Sequence, residues 1–208
     1  MSGDNAEVSS AVLVIFQFSR DLCKTFNNSV IRQKNVMRSY GNGRSVGFAD
    51  ELVCLEGDWK RNITFGFLHF DSAVAAHRWL ISDPTFRQHD WLDDAELWIV
   101  PLCTEINEWK YFQLSLFNLI NQDKFKKQYL PKFEESVTKS GGVPFVSSTP
   151  YIEVLRGLKD IDYLIITEWP DEDSALTWNK SREAEELRNM KNTFSKSSTI
   201  LTTIRHNY

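Results

Sequence analysis

The feature that most constrains this chain is that it repeats itself. Glu51-Leu52-Val53-Cys54-Leu55-Glu56-Gly57 reads against Tyr151-Ile152-Glu153-Val154-Leu155-Arg156-Gly157, with the two glycines 100 positions apart. Upstream, Tyr40-Gly41-Asn42 reads against Ser140-Gly141-Gly142 at the same offset. Downstream, Phe70, Trp79 and Ser82 match Trp169, Trp178 and Ser181, each 99 apart, so one deleted residue reconciles the blocks. A chance pairing does not hold its offset from end to end, and a fixed period of this length signals an internal repeat. The reading is a tandem duplication, with one unit over 10–103 and a second over 109–207. The connector Cys103–Trp109 is too short for a flexible tether, so the halves should touch.

Each half spells the same elements. Ala11–Phe18 is short, apolar and rich in β-branched and aromatic residues, hence a strand. Ser19–Ser39 spaces its apolar residues at helical intervals and stops at Tyr40-Gly41-Asn42-Gly43. Val46–Leu55 and Asn62–Phe70 read as extended, with a turn at Gly57-Asp58. Asp71-Ser72 caps a helix through Trp79, Asp83-Pro84 opens a further helical piece, and Glu96–Leu102 is a closing strand. The second half repeats this with strand Tyr111–Asn118, helix Asp123–Lys139 and strands Val146–Arg156 and Asp162–Trp169. A helix capped by Asp171 to Ser174, a helical stretch Arg182–Phe194 and strand Thr199–His206 complete it. Strand–helix–strand–strand–helix–strand is the split βαβ, or ferredoxin-like, order. One such unit leaves one face of its sheet bare, and a bare apolar face must find a cover. The expected fold is therefore α+β, two tandem ferredoxin-like (βαββαβ) units packing sheet to sheet as an intramolecular α/β barrel.

Composition narrows the partners. Hydrophobic residues are 42% and aromatics 13% of 208, enough to fill a core and to exclude general disorder. Lys+Arg 24 against Asp+Glu 28 gives a net charge of −4, which does not attract a polyanion, so nucleic acid is excluded as a partner. The first apolar run, Ala11–Phe18, is far below the ~20 residues of a membrane span, and Met1–Ser10 offers no cationic flank for a secretory signal. Cys23, Cys54 and Cys103 are too few and too odd in number for a disulfide framework. The expectation is a cytoplasmic protein with reduced thiols and no membrane contact.

Specific residues resemble a known family. Phe125, Tyr129, Gly141-Gly142, Val154-Leu155-Arg156-Gly157, Ile165-Ile166-Thr167-Glu168-Trp169-Pro170, Ser174-Ala175, Trp178 and Ser181 resemble the domain-of-unknown-function thirteen-thirty family. That family belongs to the dimeric α/β-barrel superfamily. The first half resembles it more loosely: His69 stands at the strand-end Glu, Asp71 replaces the Pro, and Asn42 replaces the second Gly. The superfamily includes cofactor-free monooxygenases, muconolactone-type isomerases and haem-binding chlorite dismutases, and a shared fold does not select among them.

The candidate chemistry sits on the third strands. Alternation along Ile63, Phe65, Phe67 and His69 puts His69 on an otherwise apolar face, and the 99-residue match gives Glu168 the equivalent place. Either group could move protons in an apolar cavity. The alternative is a strand-end residue satisfied by backbone or by a cation. On the first strands, Leu13, Ile15 and Gln17 align with Gln113, Ser115 and Phe117. That alignment makes Gln17, Gln113 and Ser115 candidate ligand-binding residues on the cavity face. Arg156 is a candidate carboxylate binder, or a rim partner of Glu56. The histidines form no HExxH and the cysteines no CxxC, so no metal site is expected. Haem through His69 enters only by analogy with one branch of the superfamily.

Two functions follow. One is a small-molecule-binding barrel acting without cofactor, in the manner of a monooxygenase or isomerase, on a hydrophobic or aromatic compound, with His69 or Glu168 as proton acceptor. The other is a non-catalytic binding or scaffold protein whose barrel is filled by side chains. The duplicated chain should be a monomeric pseudo-dimer, with further dimerisation through the outer helices.

Overall fold

The computed structural model describes residues 11–59, 62–82, 95–148, 153–156 and 161–205, with backbone alone for 148 and 153–156. The expected helical piece at Asp83-Pro84 lies outside the described residues.

The first half runs β1 (Val12–Ser19), α1 (Cys23–Ser29), α2 (Lys34–Arg38), β2 (Arg44–Glu56), β3 (Ile63–Phe70), α3 (Ala73–Ser82) and β4 (Glu96–Pro101). The second runs β5 (Tyr111–Leu119), a helical stretch ending in α4 (Leu130–Lys139), β6 (Val143–Ser148), β7 (Glu153–Arg156), β8 (Tyr163–Trp169), α5 (Glu172–Lys180), α6 (Arg182–Asn192) and β9 (Ser195–Arg205). Helix starts follow their caps. Ser72 Oγ accepts from Ala75 N–H at 3.1 Å, and Asp171 Oδ1 from Ser174 N–H at 2.7 Å.

The single helix expected over Ser19–Ser39 is broken. Two α-helical pieces are separated by 3-10 turns at Arg20–Leu22 and Ile31–Gln33, and none of these elements carries a side-chain cap. Asn27-Asn28-Ser29 and the β-branched pair Val30-Ile31 are poor helix formers, which explains the break. The counterpart over residues 122–139 stays continuous, capped by Asn121 Oδ1 on Lys124 N–H at 3.0 Å. It widens to a π turn at Phe125–Tyr129 just before Pro131, whose missing N–H removes one rung of the α-helical ladder.

The strands form one antiparallel sheet in the order β6-β8-β5-β9-β2-β3-β1-β4-β7. It is nearly closed by reciprocal pairing of the two halves. The first residues of β2 pair with β3 and its later ones with β9. Correspondingly, β6 pairs with β8 and β7, next in the chain, pairs with β4. Cys103 N–H donates to Phe145 O at 2.9 Å where the ends meet. The result is a nearly closed eight-strand antiparallel barrel with helices outside, the α/β barrel expected from the strand and helix order. Gly47 shows how tightly the halves meet: φ is +139°, and a Cβ there would fall 2.5 Å from Arg205 O on β9.

Side chains alternate between two environments. Leu13, Ile15, Phe65, Phe67, Phe112 and Leu114 belong to the cluster inside the barrel. Val12, Val14, Phe16 and Phe18 face α1–α3, whereas Phe117 and Ile165 face the helices of the second half. Trp79 and Trp178 both pack helix against sheet. Trp79 lies 5.3 Å from Phe70 at 35°, and Trp178 lies 5.6 Å from Trp169 at 37°. No helix among the described residues is long and apolar enough to cross a membrane.

Candidate functional site

The connector between β4 and β5 starts and finishes at the same end of the barrel, so it must cross that mouth. His69 and Glu168 both sit there. Leu13 stands opposite His69 and Phe112 opposite Glu168, one pair in each half.

Glu168 is completely buried and fully engaged. Its Oε2 accepts from Asn107 N–H at 2.7 Å and from Asn107 Nδ2 at 3.1 Å, and its Oε1 accepts from Trp109 N–H at 3.2 Å. Between them Glu108 takes a left-handed φ of +63°, which turns successive N–H groups toward one carboxylate in an anion-holding nest. Burial raises the Glu168 pKa, and these hydrogen bonds oppose the rise. Ile106, on the same connector, is buried against the barrel interior and plugs the opening.

His69 occupies the equivalent place without equivalent partners. Its Nδ1 is buried and has no hydrogen-bond partner. Burial lowers its pKa, Arg44 lowers it further, and Asp71 acts in the opposite sense. Arg44 stands directly across from His69 in the β2–β3 ladder, so the two share the barrel-facing side. The guanidinium is bridged to Glu108 at 3.4 Å. Beside it opens a cavity of about 160 Å³ lined by Arg44, Ser45, Val46, Ile106, Glu108 and Trp109, and Ser45 Oγ is buried without a partner. Chemically the corner combines a cation, an imidazole able to accept a proton and an apolar and aromatic wall.

The other sequence candidates are not brought to this mouth. Gln17 is buried on the barrel face opposite Phe65 and Glu96, four residues along β1 from Leu13 and about 13 Å away at ordinary strand rise. Gln113 and Ser115 point the other way, toward the helices. The alignment of Leu13 with Gln113 is one residue out; the ladder matches Leu13 with Phe112, and a one-residue slip exchanges the faces of a strand. There Gln113 Oε1 accepts from Asn179 Nδ2 at 2.8 Å, and Ser115 and Thr199 hydroxyls lie 3.1 Å apart. Both border a space of about 30 Å³, room for about one water, shared with Tyr129, Arg188, Lys191 and Glu56. The Arg156 side chain lies outside the described residues. Glu56 instead pairs with the buried ammonium of Lys191, so burial in the helix layer selects its partner.

Sequence reasoning does not single out Arg44, Ser45, Ile106 and Glu108 as ligand residues. The available signal is the connector's length, because a short link between strand ends at one mouth has to lie across it.

The fold and this mouth define a barrel of the dimeric α/β-barrel class. Residues 110–203 match the family described as a domain of unknown function (DUF1330). No curated protein is significantly similar in sequence. Solved structures share the fold. A heme-binding protein from Thermus thermophilus superposes with TM-score 0.54 at 11% identity, over 94% of this chain and 91% of that one. An anthrone oxidase-like protein gives 0.53 at 10% identity over 94% and 92%. A candidate monooxygenase of Fusobacterium nucleatum gives 0.52 at 10% identity over 95% and 94%.

The heme of the Thermus thermophilus protein can be tested against the residues here. The space beside Arg44, the residue across the ladder from His69, is about 160 Å³, below the ~300–1,000 Å³ of ordinary ligand sites. The barrel interior is filled, with Phe67–Phe112 and Phe112–Phe145 centroids 5.6 and 5.0 Å apart. The described residues do not fit haem at His69. Nor do any three metal-ligating side chains cluster among the described residues.

Proposed function

We propose that the protein binds a small hydrophobic or aromatic compound at the connector end of its barrel and acts on it without a cofactor, with His69 as proton acceptor. The observation that supports this is the cavity of about 160 Å³ lined by Arg44, Ile106 and Trp109, with His69, its Nδ1 buried and unpartnered, directly across the ladder from Arg44. Buried polar groups normally have partners, so an orphan beside a cavity-lining residue favours a ligand that supplies one. Glu168 is a positioning residue in this reading, holding the connector rather than moving protons.

Thermal-shift measurements on the full chain against single-ring aromatic and aliphatic compounds test it, since a ligand of the native state raises the midpoint. At least one compound is expected to stabilise the protein, and His69→Ala and the cavity-filling Ile106→Trp are expected to abolish that shift. No stabilising compound, or a shift that both variants retain, would overturn the proposal. The packed interior supports the second reading, a scaffold barrel filled by its own side chains, and that negative result would favour it.

The same proposal treats 10–103 and 109–207 as units of a tandem duplication, supported by the reciprocal pairing of β2 with β9 and β7 with β4. One chain then holds both halves that a dimeric relative assembles from two, and light scattering should find a monomer. Unpaired Cys23, Cys54 and Cys103 support a reducing, cytoplasmic setting.

A further inference from the structure

We infer that the ligand of the mouth cavity is a small aromatic or hydrophobic carboxylate, and that Glu108 is its intramolecular stand-in on Arg44. This inference rests on the reading of the mouth as a small-molecule site. Three observations support it.

The first is charge. Arg44 is the sole cation among the described residues lining the cavity, and its guanidinium already holds a carboxylate, through one contact to Glu108 Oε1 at 3.4 Å. That contact is long and exposed, with side-chain exposures of 42% and 72%, so it is easily exchanged. A ligand carboxylate can engage the guanidinium through two parallel N–H···O bonds in place of one.

The second is the mounting of Glu108. Asn107 and Trp109, its neighbours, are pinned by Glu168, while Glu108 itself stands at φ +63° with its side chain directed to Arg44. Release of its carboxylate therefore leaves the connector in place. The ligand exchanges one carboxylate for another and opens no lid.

The third is shape. Val46 and Ile106 supply apolar walls and Trp109 an indole, in a space of about 160 Å³. An apolar cavity of about 150 Å³ accommodates benzene. One ring or its aliphatic equivalent fits, with the carboxylate on Arg44.

Calorimetric titration of the full-length protein with benzoate, benzyl alcohol and acetate tests this. Benzoate is expected to bind about ten-fold or more tightly than benzyl alcohol, matching the usual contribution of a charge-assisted hydrogen bond, and acetate weakest for want of a ring. Glu108→Gln should tighten benzoate about two- to five-fold by removing the competitor. Arg44→Met, or Arg44→Gln should the first fold poorly, should erase the preference for benzoate while leaving benzyl alcohol unchanged. Equal binding of benzoate and benzyl alcohol in every variant would overturn the carboxylate assignment and leave the mouth reading intact. Unchanged benzoate affinity in Glu108→Gln would overturn the stand-in role. Benzoate binding that survives Ile106→Trp would place the ligand elsewhere, and absence of binding by all three probes would sink both readings.

Discussion

His69 and Glu168 hold equivalent positions at one mouth of the barrel, yet their environments are opposite. Glu168 accepts hydrogen bonds from both Asn107 and Trp109 of the connector, including their backbone N–H groups, whereas His69 Nδ1 is buried with none. The asymmetry originates in a link that crosses the mouth once. It can saturate one of two symmetry-equivalent corners, and the other is left with a cavity. The two corners of one mouth thereby differ, with Glu168 holding the connector and His69 standing across the ladder from the cavity-lining Arg44.

The largest expected effect comes from breaking the saturated corner. Glu168→Ala removes the acceptor of three half-buried hydrogen bonds and should lower unfolding stability by about 3 kcal/mol in urea denaturation, with Glu168→Gln losing roughly half as much. Equal losses from Glu168→Ala and His69→Ala would dissolve the comparison.

The two corners should also titrate with opposite sign. The folded-state pKa of Glu168 is raised, so its stabilising contribution is complete below the unfolded value near 4.5 and is lost as pH rises through the folded pKa. The folded-state pKa of His69 is lowered, so its contribution is present above the unfolded value of 6.5 and is lost as pH falls toward the folded pKa. As pH falls from about 7 to about 4.5, Glu168→Gln should therefore lose stability relative to the parent, whereas His69→Ala should gain. Denaturation series at matched ionic strength will separate the two slopes, and slopes of the same sign would contradict the assignment.

At constant neutral pH the vacant corner should respond little. His69→Ala is expected to change stability by less than about 1 kcal/mol, because no hydrogen bond to Nδ1 is lost. Smallest of all, Glu108→Gln should change stability by no more than about 0.5 kcal/mol, and raised salt should remove even that difference.

Much of this is legible in the sequence. Period-two alternation in Ile63–Phe70 and the capping residues Ser72 and Asp171 mark the elements correctly, since strands and helix starts obey local rules. The placement of His69 on the barrel face follows from the same alternation. The side of Gln113 and Ser115 does not, because an insertion or deletion between repeat blocks can be placed on either side of a strand, and one residue decides which face a side chain takes. The break in the first helical segment is also hidden: apolar spacing through Leu22, Phe26 and Val30 looks continuous while the Asn27-Asn28-Ser29 interruption lies on top of it.

What the amino-acid order determined by itself was the order of strands and helices, the inward and outward faces of most strands, and apolar strand faces that demanded a cover. Tertiary structure alone decided which strand edges met, that Glu56 would answer to Lys191, and that Arg44, Glu108 and Trp109 would surround one cavity. The reason is physical: alternation and capping act over a few neighbouring residues, whereas edge pairing and the seating of a short connector depend on distances between segments far apart in the chain.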